Sequence, residues 1–506
     1  MENNINLSKS KYCAVWQCPK IAWLRKYHPE AQEIGADVVA RMAAGNEVGA
    51  LARNLFGAYT DVTSFDGEHL DLRQMIENTR VEMTNETAVI CEAAFSFDGL
   101  YCAVDILKRE RGGWAIYEVK SSTQDDKAVY AADVAYQKYV LEHCGVRVTG
   151  TYLVTLNNQY VFDGTLDLAE LFRVTDIASA VRSEEGLIEA NIALAARYLD
   201  DPEEPPIDLS ERCRDPYPCA FWGWCAKNLP QPSVFDLYRM NFSKKIEYYR
   251  KGIVSYADLS REAGIKNEKQ LRQIAHALSE QGDEIDRGSI RAFLAKLSYP
   301  LYFLDFETVQ PVIPRYIGTK PYAQIPFQYS LHIIEREGGA LQHREFLAEP
   351  GTDPRRALAE QLCAAVPMGA CVTAYNKAFE CTRLKELAET FPDLAAHLLN
   401  IRDNIVDLLV PFQSGWYYNR AMGGSFSIKS VLPALFPDDP ALDYHNLDEI
   451  HNGGEAMTAW PSMEHMSPED RARTRQNLLE YCKLDTFAMV KVWEKLCEAA
   501  ANESRS

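Results

Sequence analysis

The chain has 506 residues and a formal net charge of −19, and 47% of its residues are hydrophobic and 25% charged. This composition is typical of a soluble globular protein, and the length predicts about three folding units. The acidic balance excludes indiscriminate coating of nucleic acid, because that mode of binding rests on many Lys and Arg contacts. No signal peptide and no apolar run of transmembrane length is recognisable, so we expect a cytoplasmic protein that does not enter a membrane.

Two predicted strands in the N-terminal half carry acidic residues and a lysine. The strand AVDIL includes Asp105, and the apolar run WAIYEVK places Glu118 and Lys120 two residues apart, on one strand face. Two carboxylates can hold a divalent cation that polarises a phosphodiester, and a lysine can position or activate the attacking water. The D…ExK spacing therefore indicates metal-dependent phosphodiester cleavage. The alternative is an exposed edge strand that alternates Glu and Lys for solubility.

Four of the thirteen cysteines have a spacing that favours metal ligation. Cys18 lies in QCPKIAWL, and Cys213, Cys219 and Cys225 follow with five residues between each in CRDPYPCAFWGWC. In a reducing compartment structural disulfides are not expected. Zinc usually takes two close pairs, whereas one remote cysteine and a triplet suit a 4Fe-4S cluster. The alternatives are zinc and a set of buried thiols without a ligand, and Cys13 is the rival of Cys18.

The stretch from about residue 233 to 297 has a helical pattern, with short amphipathic segments punctuated by Gly252 and Gly264. We interpret residues 231–296 as a helical bridge between two domains. The basic residues Lys244, Lys245, Arg250 and Lys251 could meet a phosphate backbone, but a solvated helix face is the favoured interpretation.

Three acidic motifs follow in the C-terminal part. The strand LYFLDFET places Asp305 and Glu307 on one face, and AYNKAFE places Glu380 at a junction of strand and helix. In LLEYCKLD, Tyr481 and Asp485 are four residues apart and share a helical face. Paired carboxylates at a strand end are costly without a metal. The set predicts a site in which two cations about 4 Å apart steady the attacking and leaving oxygens of a phosphodiester.

On its motifs, the N-terminal part resembles the RecB-like nucleases of the PD-(D/E)xK superfamily, in particular the iron-sulfur branch that includes the CRISPR-associated RecB-like exonucleases. The order of Cys18-Pro19-Lys20, the D…ExK motif and the cysteine triplet carries this resemblance over residues 7–230. It implies a restriction-endonuclease-like α/β core with a helical flank in residues 1–230, and a helical glutamine for which Gln137 is the candidate. It also implies a 4Fe-4S cluster held by Cys18, Cys213, Cys219 and Cys225.

The C-terminal motifs resemble the DnaQ-like 3′–5′ exonucleases of the ribonuclease H-like fold, in the variant whose last motif is tyrosine-x-x-x-aspartate. The resemblance covers about residues 297–500 and implies a DnaQ-like domain with a mixed five-stranded sheet in residues 297–506. Its metal ligands would be Asp305, Glu307, Glu380 and Asp485, and Tyr481 would orient the attacking water. Glu380 stands where the family usually has aspartate.

Together the two resemblances imply a DNA-processing nuclease with two candidate sites that use Mg²⁺ or Mn²⁺. The expected metal ligands of the first site are Asp105 and Glu118, with Lys120 and Gln137 as further catalytic residues. Single-stranded or frayed DNA is the expected substrate and RNA the alternative, in repair or antiviral defence. A different reading is a nucleic-acid binding scaffold or partner subunit in which one or both sites are inactive.

Overall fold

The computed structural model describes residues 7–125, 128–262, 264–279 and 282–501. The fold is mixed α/β and both large sheets are mixed, which confirms the predicted α/β class at this level. The chain divides into two compact units, one of residues 1–228 with 312–322 and one of residues 229–311 with 323–506. Within the described ranges, no helix has both the length and the apolar character to cross a membrane.

Among the residues described, the first unit contains nine strands, nine α-helices and three short 3-10 helices. Its strands are β1 Leu7–Ser8, β2 Thr60–Asp61, β3 Phe65–Asp66, β4 His69–Leu70, β5 Val89–Phe97, β6 Leu100–Glu110, β7 Gly113–Val119, β8 Val148–Leu156 and β9 Phe172–Asp176. Its helices are α1 Lys9–Gln17, α2 Pro19–Tyr27, α3 Ala36–Ala52, α4 Leu72–Thr84, α5 Ala128–His143, α6 Leu168–Leu171, α7 Ala178–Glu185, α8 Ile188–Asp200 and α9 Trp222–Ala226.

The main sheet of this unit has the order β2-β5-β6-β7-β8-β9, and β1 pairs with β6. The strands β5, β6 and β7 are antiparallel neighbours, whereas β7 and β8 run parallel. Helix α5 covers this sheet with a nearly continuous apolar surface, so most of its residues are buried. Its Tyr136 hydroxyl donates a hydrogen bond of 2.7 Å to the carbonyl of Leu7, which fixes the short first strand.

Residues 312–322 lie between two strands of the second unit in sequence but belong to the first unit. Gly318 donates its backbone N–H to Phe162 at 2.7 Å, and Phe162 donates to Thr319 at 2.9 Å. The hydroxyl of Tyr322 donates at 2.5 Å to the carbonyl of Ser121, the residue after Lys120. This segment therefore supports the chain directly beyond the D…ExK motif.

The second unit contains the remaining elements that the structure describes. Its strands are β10 Glu284–Ile285, β11 Leu301–Val309, β12 Ile325–Ile334, β13 Leu341–Leu347, β14 Cys371–Ala374, β15 Ile405–Asp407 and β16 Tyr417–Tyr418. Its helices are α10 Phe242–Arg250, α11 Tyr256–Leu259, α12 Glu268–Leu278, α13 Arg287–Leu294, α14 Arg355–Ala365, α15 Ala378–Thr390, α16 Ala395–Asp403, α17 Val410–Gln413, α18 Ile428–Leu435, α19 Gly453–Ser462 and α20 Pro468–Ala501. The segment predicted as a helical bridge supplies α10 to α13.

The five-stranded sheet of this unit has the order β13-β12-β11-β14-β15. Strands β13, β12 and β11 are antiparallel, whereas β11, β14 and β15 are parallel. All ten residues of β12 are buried, as expected for a strand covered on both faces. A register shift between Glu307 and Thr308 interrupts the ladder of β11 with β12, and such irregularities often adjust side chains beside active sites.

A buried polar network joins α20 to β12. Thr486 lies 2.7 Å from the hydroxyl of Ser330 and 2.8 Å from Nδ1 of His332, and Ser330 lies 2.9 Å from His343. Burial, with a smaller contribution from His343, lowers the pKa of His332 to about 3, and burial lowers the pKa of His343 to about 4. Both imidazoles are therefore neutral in the folded protein at physiological pH.

The depressed pKa of His332 predicts a loss of stability in mild acid. The unfolded chain takes up a proton near pH 6.5 that the folded chain binds only near pH 3, so stability is present above about pH 6.5 and is lost as the pH falls. Between about pH 7 and pH 5 the free energy of unfolding should fall in the wild type. We expect this fall to be smaller in His332→Gln by about 1–2 kcal/mol. Thermal melts at both pH values measure this, with the exposed His445→Gln as control. Equal losses in the wild type and His332→Gln would contradict the assignment.

Candidate active sites

The first site forms where two strands and α5 of the first unit meet. Glu118 lies near the end of β7 and Lys120 directly after it, and Asp133 and Gln137 come from α5. The ammonium of Lys120 lies 2.6 Å from Glu118 Oε1 and 2.7 Å from Asp133 Oδ2. Gln137 donates to Glu118 Oε2 at 2.7 Å and to Asp133 Oδ1 at 3.0 Å. Asp105 of β6 accepts the backbone N–H of Val119 at 2.7 Å. The structure thus brings together all four residues that the sequence analysis proposed here.

A second lysine, Lys9, enters the same site from the start of α1. Its Nζ lies 3.0 and 3.1 Å from the two carboxylate oxygens of Glu118, 3.7 Å from Asp133 and 3.9 Å from Asp105. Lys9, Asp105, Glu118 and Lys120 line one cleft of about 470 Å³. The cluster around Glu118 therefore contains three carboxylates and two ammonium groups, and the ion pair of Arg53 with Glu92 lines the same cleft.

The charges of the first site shift one another's pKa values. Burial, with the neighbouring carboxylates Asp105 and Asp133, raises the pKa of Glu118 to about 7. Although burial opposes it, Lys120 and Lys9 lower the pKa of Asp133 below its usual range. Burial likewise disfavours the ammonium of Lys120, but Asp133 and Glu118 raise its pKa above the ordinary value. Lys120 is consequently a permanent cation here, suited to holding an anionic oxygen.

The second site lies in the second unit, at the face of β11 that α15 and α20 approach. Asp305 and Glu307 share this face, Glu380 lies in the first turn of α15, and Asp485 comes from the middle of α20. These four carboxylates and Tyr481 line one cleft of about 490 Å³. All five residues predicted from the sequence for this site are thus brought together.

The second site lacks the internal cations of the first. Its four carboxylates belong to Asp305, Glu307, Glu380 and Asp485. Among the described residues, no Lys, Arg or His nitrogen comes within 4.0 Å of any of them. Burial and mutual repulsion raise the pKa values of Asp305 and Glu307 well above normal. Burial raises the pKa of Asp485 to about 6 and that of Glu380 to about 8. The buried Oε2 of Glu380 has no hydrogen-bond partner, so this cluster has unused capacity for a cation.

Three side chains that the sequence analysis did not assign complete the second site. The hydroxyl of Tyr444 donates to Asp485 Oδ1 at 2.6 Å. Lys429 places its ammonium 5.4 Å from the ring centre of Tyr444 and 5.8 Å from that of Tyr481. Cys482 lies 4.0 Å from Asp305 Oδ2 and forms with Asp305 and Glu307 a trio whose ligand atoms lie within 4.8 Å of one another.

The turn that leads into α15, the helix of Glu380, is held by hydrogen bonds to β15. Asp407 at the end of that strand accepts the backbone N–H groups of Asn376 at 2.8 Å and Lys377 at 3.2 Å. Asn376 has a φ of 66°, a left-handed conformation that Asn tolerates better than most residues. This turn sends the chain from β14 into α15, so Asp407 acts on the site by positioning Glu380.

The four predicted cysteines also converge, in a narrow cavity of the first unit that Cys18, Cys213, Cys219 and Cys225 line. Gln17 ties the two distant segments together, because its amide donates to the carbonyls of Arg212 at 2.9 Å and Tyr217 at 2.8 Å. Burial raises the pKa of Cys225 to about 11 and shifts the pKa values of the other three thiols in the same direction. Cys13, the rival of Cys18, instead lies near the charged groups of the first site.

The spacing of these sulfurs is wider than a single ion requires. Zinc–sulfur bonds of about 2.3 Å in a tetrahedron hold sulfur atoms about 3.8 Å apart. Across the ranges described, the trio of Asp305, Glu307 and Cys482 is the only group of three candidate ligand atoms within 4.8 Å of one another. No three of the cysteine sulfurs are therefore that close. Cysteine thiolates ligate both zinc and iron-sulfur clusters, and the four thiols that line this cavity are the candidate ligands.

Some site residues were not predicted from the sequence, and they differ in whether a local sequence pattern could have identified them. Asp133 precedes Gln137 by four residues on one helix, a spacing that places both on one face and could have been noticed. Lys9 gives no such signal, because 109 residues separate it from Glu118. Tyr444 likewise contacts Asp485 across 41 residues.

Comparison with known proteins adds one match. A family described as a domain of unknown function (DUF2779) matches residues 302–427, which include Asp305, Glu307 and Glu380. No protein of curated function matches the chain. The matched description names no activity, so the function is argued from the geometry of the sites.

The buried Oε2 of Glu380, which has no hydrogen-bond partner, yields a test of the second site. We expect Glu380→Gln to stabilise the metal-free protein by about 1–3 kcal/mol, because glutamine avoids the cost of burying a carboxylate or of protonating it. Added Mn²⁺ should then raise the melting temperature of this variant less than that of the wild type. Thermal melts in EDTA and in Mn²⁺ measure both effects. Glu389→Gln, on an exposed position of the same helix, is the control. An unchanged response to Mn²⁺ in Glu380→Gln would argue against a cation at this cluster.

Proposed function

We propose that this protein is a metal-dependent nuclease with two phosphodiesterase sites and a 4Fe-4S cluster, acting on single-stranded or frayed DNA. The observation that carries the proposal is the second site, where four carboxylates meet in one cleft and form no ion pair within 4.0 Å with a lysine, arginine or histidine of the described residues. Lys429 lines the same cleft at a greater distance. Uncompensated buried carboxylates are costly, and divalent cations are the usual remedy. The mixed five-stranded sheet agrees with the DnaQ-like resemblance.

At the second site the proposed ligands of Mg²⁺ or Mn²⁺ are Asp305, Glu307, Glu380 and Asp485. Bound ions would polarise the phosphodiester and lower the pKa of the attacking water. The protein's own contribution is to position the reactants. Tyr444 orients the Asp485 carboxylate through its hydrogen bond of 2.6 Å. Tyr481 lines the cleft beside it, where its hydroxyl can orient the water, and Lys429 supplies a cation for a substrate phosphate.

At the first site the proposed metal ligands are Asp105 and Glu118. Gln137 and Asp133 fix the second oxygen of Glu118 and the ammonium of Lys120, so the catalytic lysine is held by two carboxylates. Lys120 is then poised to stabilise negative charge that develops on a phosphate oxygen. Asp105, Glu118 and Lys120 line the cleft of about 470 Å³.

The two sites should be separable by mutation. We expect Asp305→Ala to abolish trimming from the 3′ end and Lys120→Ala to abolish a separate cleavage, each lowering its own rate by about 100-fold or more because a ligand or a charge-stabilising group is lost. The measurement is a Mn²⁺-dependent assay on single-stranded DNA labelled at either end. Controls are Asp403→Ala and Lys138→Ala, which change charge outside both clefts. A wild type that binds DNA but leaves it intact would point to a scaffold instead.

The cysteine cavity predicts a specific cofactor content. Protein purified without oxygen should contain about four irons and four sulfides per chain. Cys219→Ser should lose most of both, because it removes one of the four thiols that line the cavity. Cys144→Ser, at an exposed cysteine outside the cavity, should keep them. Stoichiometric zinc without sulfide in the wild type would contradict the cluster.

A further inference from the structure

Three sets of contacts fix the backbone around Lys9 and so determine where its side chain begins. Leu7 and Ser8 pair in parallel with Leu100 and Tyr101 of β6. Ser8 caps α1 by accepting the N–H of Lys11 at 3.4 Å, and the carbonyl of Leu7 accepts the Tyr136 hydroxyl. Lys9 is the first residue of α1, so its side chain starts from a defined point beside β6.

The ammonium of Lys9 lies against the two carboxylates that are proposed to hold a divalent cation. It contacts both oxygens of Glu118 and lies 3.9 Å from Asp105, the two carboxylates proposed as metal ligands. A divalent ion takes carboxylate oxygens at about 2.0–2.6 Å. Such an ion and the ammonium cannot both occupy this space, because each needs the same Glu118 oxygens and the two are cations.

The other lysine of the site is anchored differently. Lys120 contacts one oxygen of Glu118 but has a second short contact to Asp133 at 2.7 Å. It can therefore keep a carboxylate partner when Glu118 turns to an ion. The nearest oxygen of Asp133 to Lys9 is 3.7 Å away, so Glu118 provides the close contacts of Lys9. Its side chain is 23% exposed and borders the open cleft, which leaves it room to move.

Building on the proposed function, we propose that Lys9 is a tethered cation that occupies the metal position of the first site, so that a divalent ion binds there only by displacing its ammonium group. The second site has no equivalent lysine among the residues described. The two sites of one chain should consequently load with metal at different concentrations, the first requiring more. Once displaced, the ammonium remains at the cleft, where a substrate phosphate would enter.

The direct test labels the wild-type protein and needs no variant. Lysine amines are methylated reductively in EDTA and in saturating Mn²⁺, and mass spectrometry measures modification at each lysine. Labelling of Lys9 should rise when Mn²⁺ is present, while labelling of the exposed Lys11 should not change. Equal labelling of Lys9 with and without Mn²⁺ would overturn the proposal.

A second measurement gives the size of the effect. Calorimetric titration of the full chain with Mn²⁺ defines the first site as the binding that Glu118→Gln removes. Lys9→Gln should tighten that binding about tenfold or more, because the ion no longer displaces a charge-assisted contact. Lys9→Arg, which keeps the charge, should remain closer to the wild type, and Lys11→Gln is the matched control for charge.

The outcomes separate this inference from the proposed function. If Glu118→Gln removes Mn²⁺ binding but Lys9→Gln leaves the affinity unchanged or weakens it, the metal site stands and the role of Lys9 falls. If Glu118→Gln removes no binding at all, the first site holds no metal, and both the role of Lys9 and the proposed metal-dependent activity of the first site are wrong. Tighter binding in Lys9→Gln together with metal-dependent labelling of Lys9 supports both.

Discussion

The balance of charge around buried carboxylates is the constraint on which both clefts depend. A carboxylate that leaves water needs a cation or hydrogen-bond donors, or else it becomes protonated. The first site meets this need within the chain, through Lys9, Lys120 and the amide of Gln137. The second site does so only in part, with tyrosine hydroxyls and a distant lysine. The carboxylates of the first site are therefore balanced by ion pairs within the chain, whereas those of the second site form no such ion pair among the described residues.

The N-terminal segment connects the first cleft to the cysteine cavity. Helix α1 begins at Lys9, which reaches into the cleft, and Cys18 directly follows its last residue, Gln17. Gln17 binds the carbonyls of Arg212 and Tyr217, on either side of Cys213. A cluster that holds Cys18 to the cysteine triplet would fix the far end of this helix. The inorganic group would then help to position a residue of the catalytic cleft.

Much of the two sites could be predicted because their motifs are local. Asp305 and Glu307 follow the two-residue period of a strand, and Tyr481 and Asp485 follow the turn of a helix. The mixed α/β class follows from the same alternation of strands and helices. The convergence of these motifs could be expected only through resemblance, because no local pattern places β11 beside α20.

The remaining features depend on contacts between distant segments. Lys9 lies 109 residues from Glu118 in sequence, so no spacing predicts their ion pair. Residues 312–322 form another such case, since they follow a strand of the second unit yet pack in the first. Their pattern contains no helix or strand period that would assign them to either unit.

The central claim is that the four carboxylates of the second site hold divalent cations. Anomalous diffraction from crystals grown with Mn²⁺ tests it most directly, because the signal locates the ions without assuming any activity. The account predicts anomalous density among Asp305, Glu307, Glu380 and Asp485. Crystals at saturating Mn²⁺ with no anomalous density within coordination distance of these residues would contradict it.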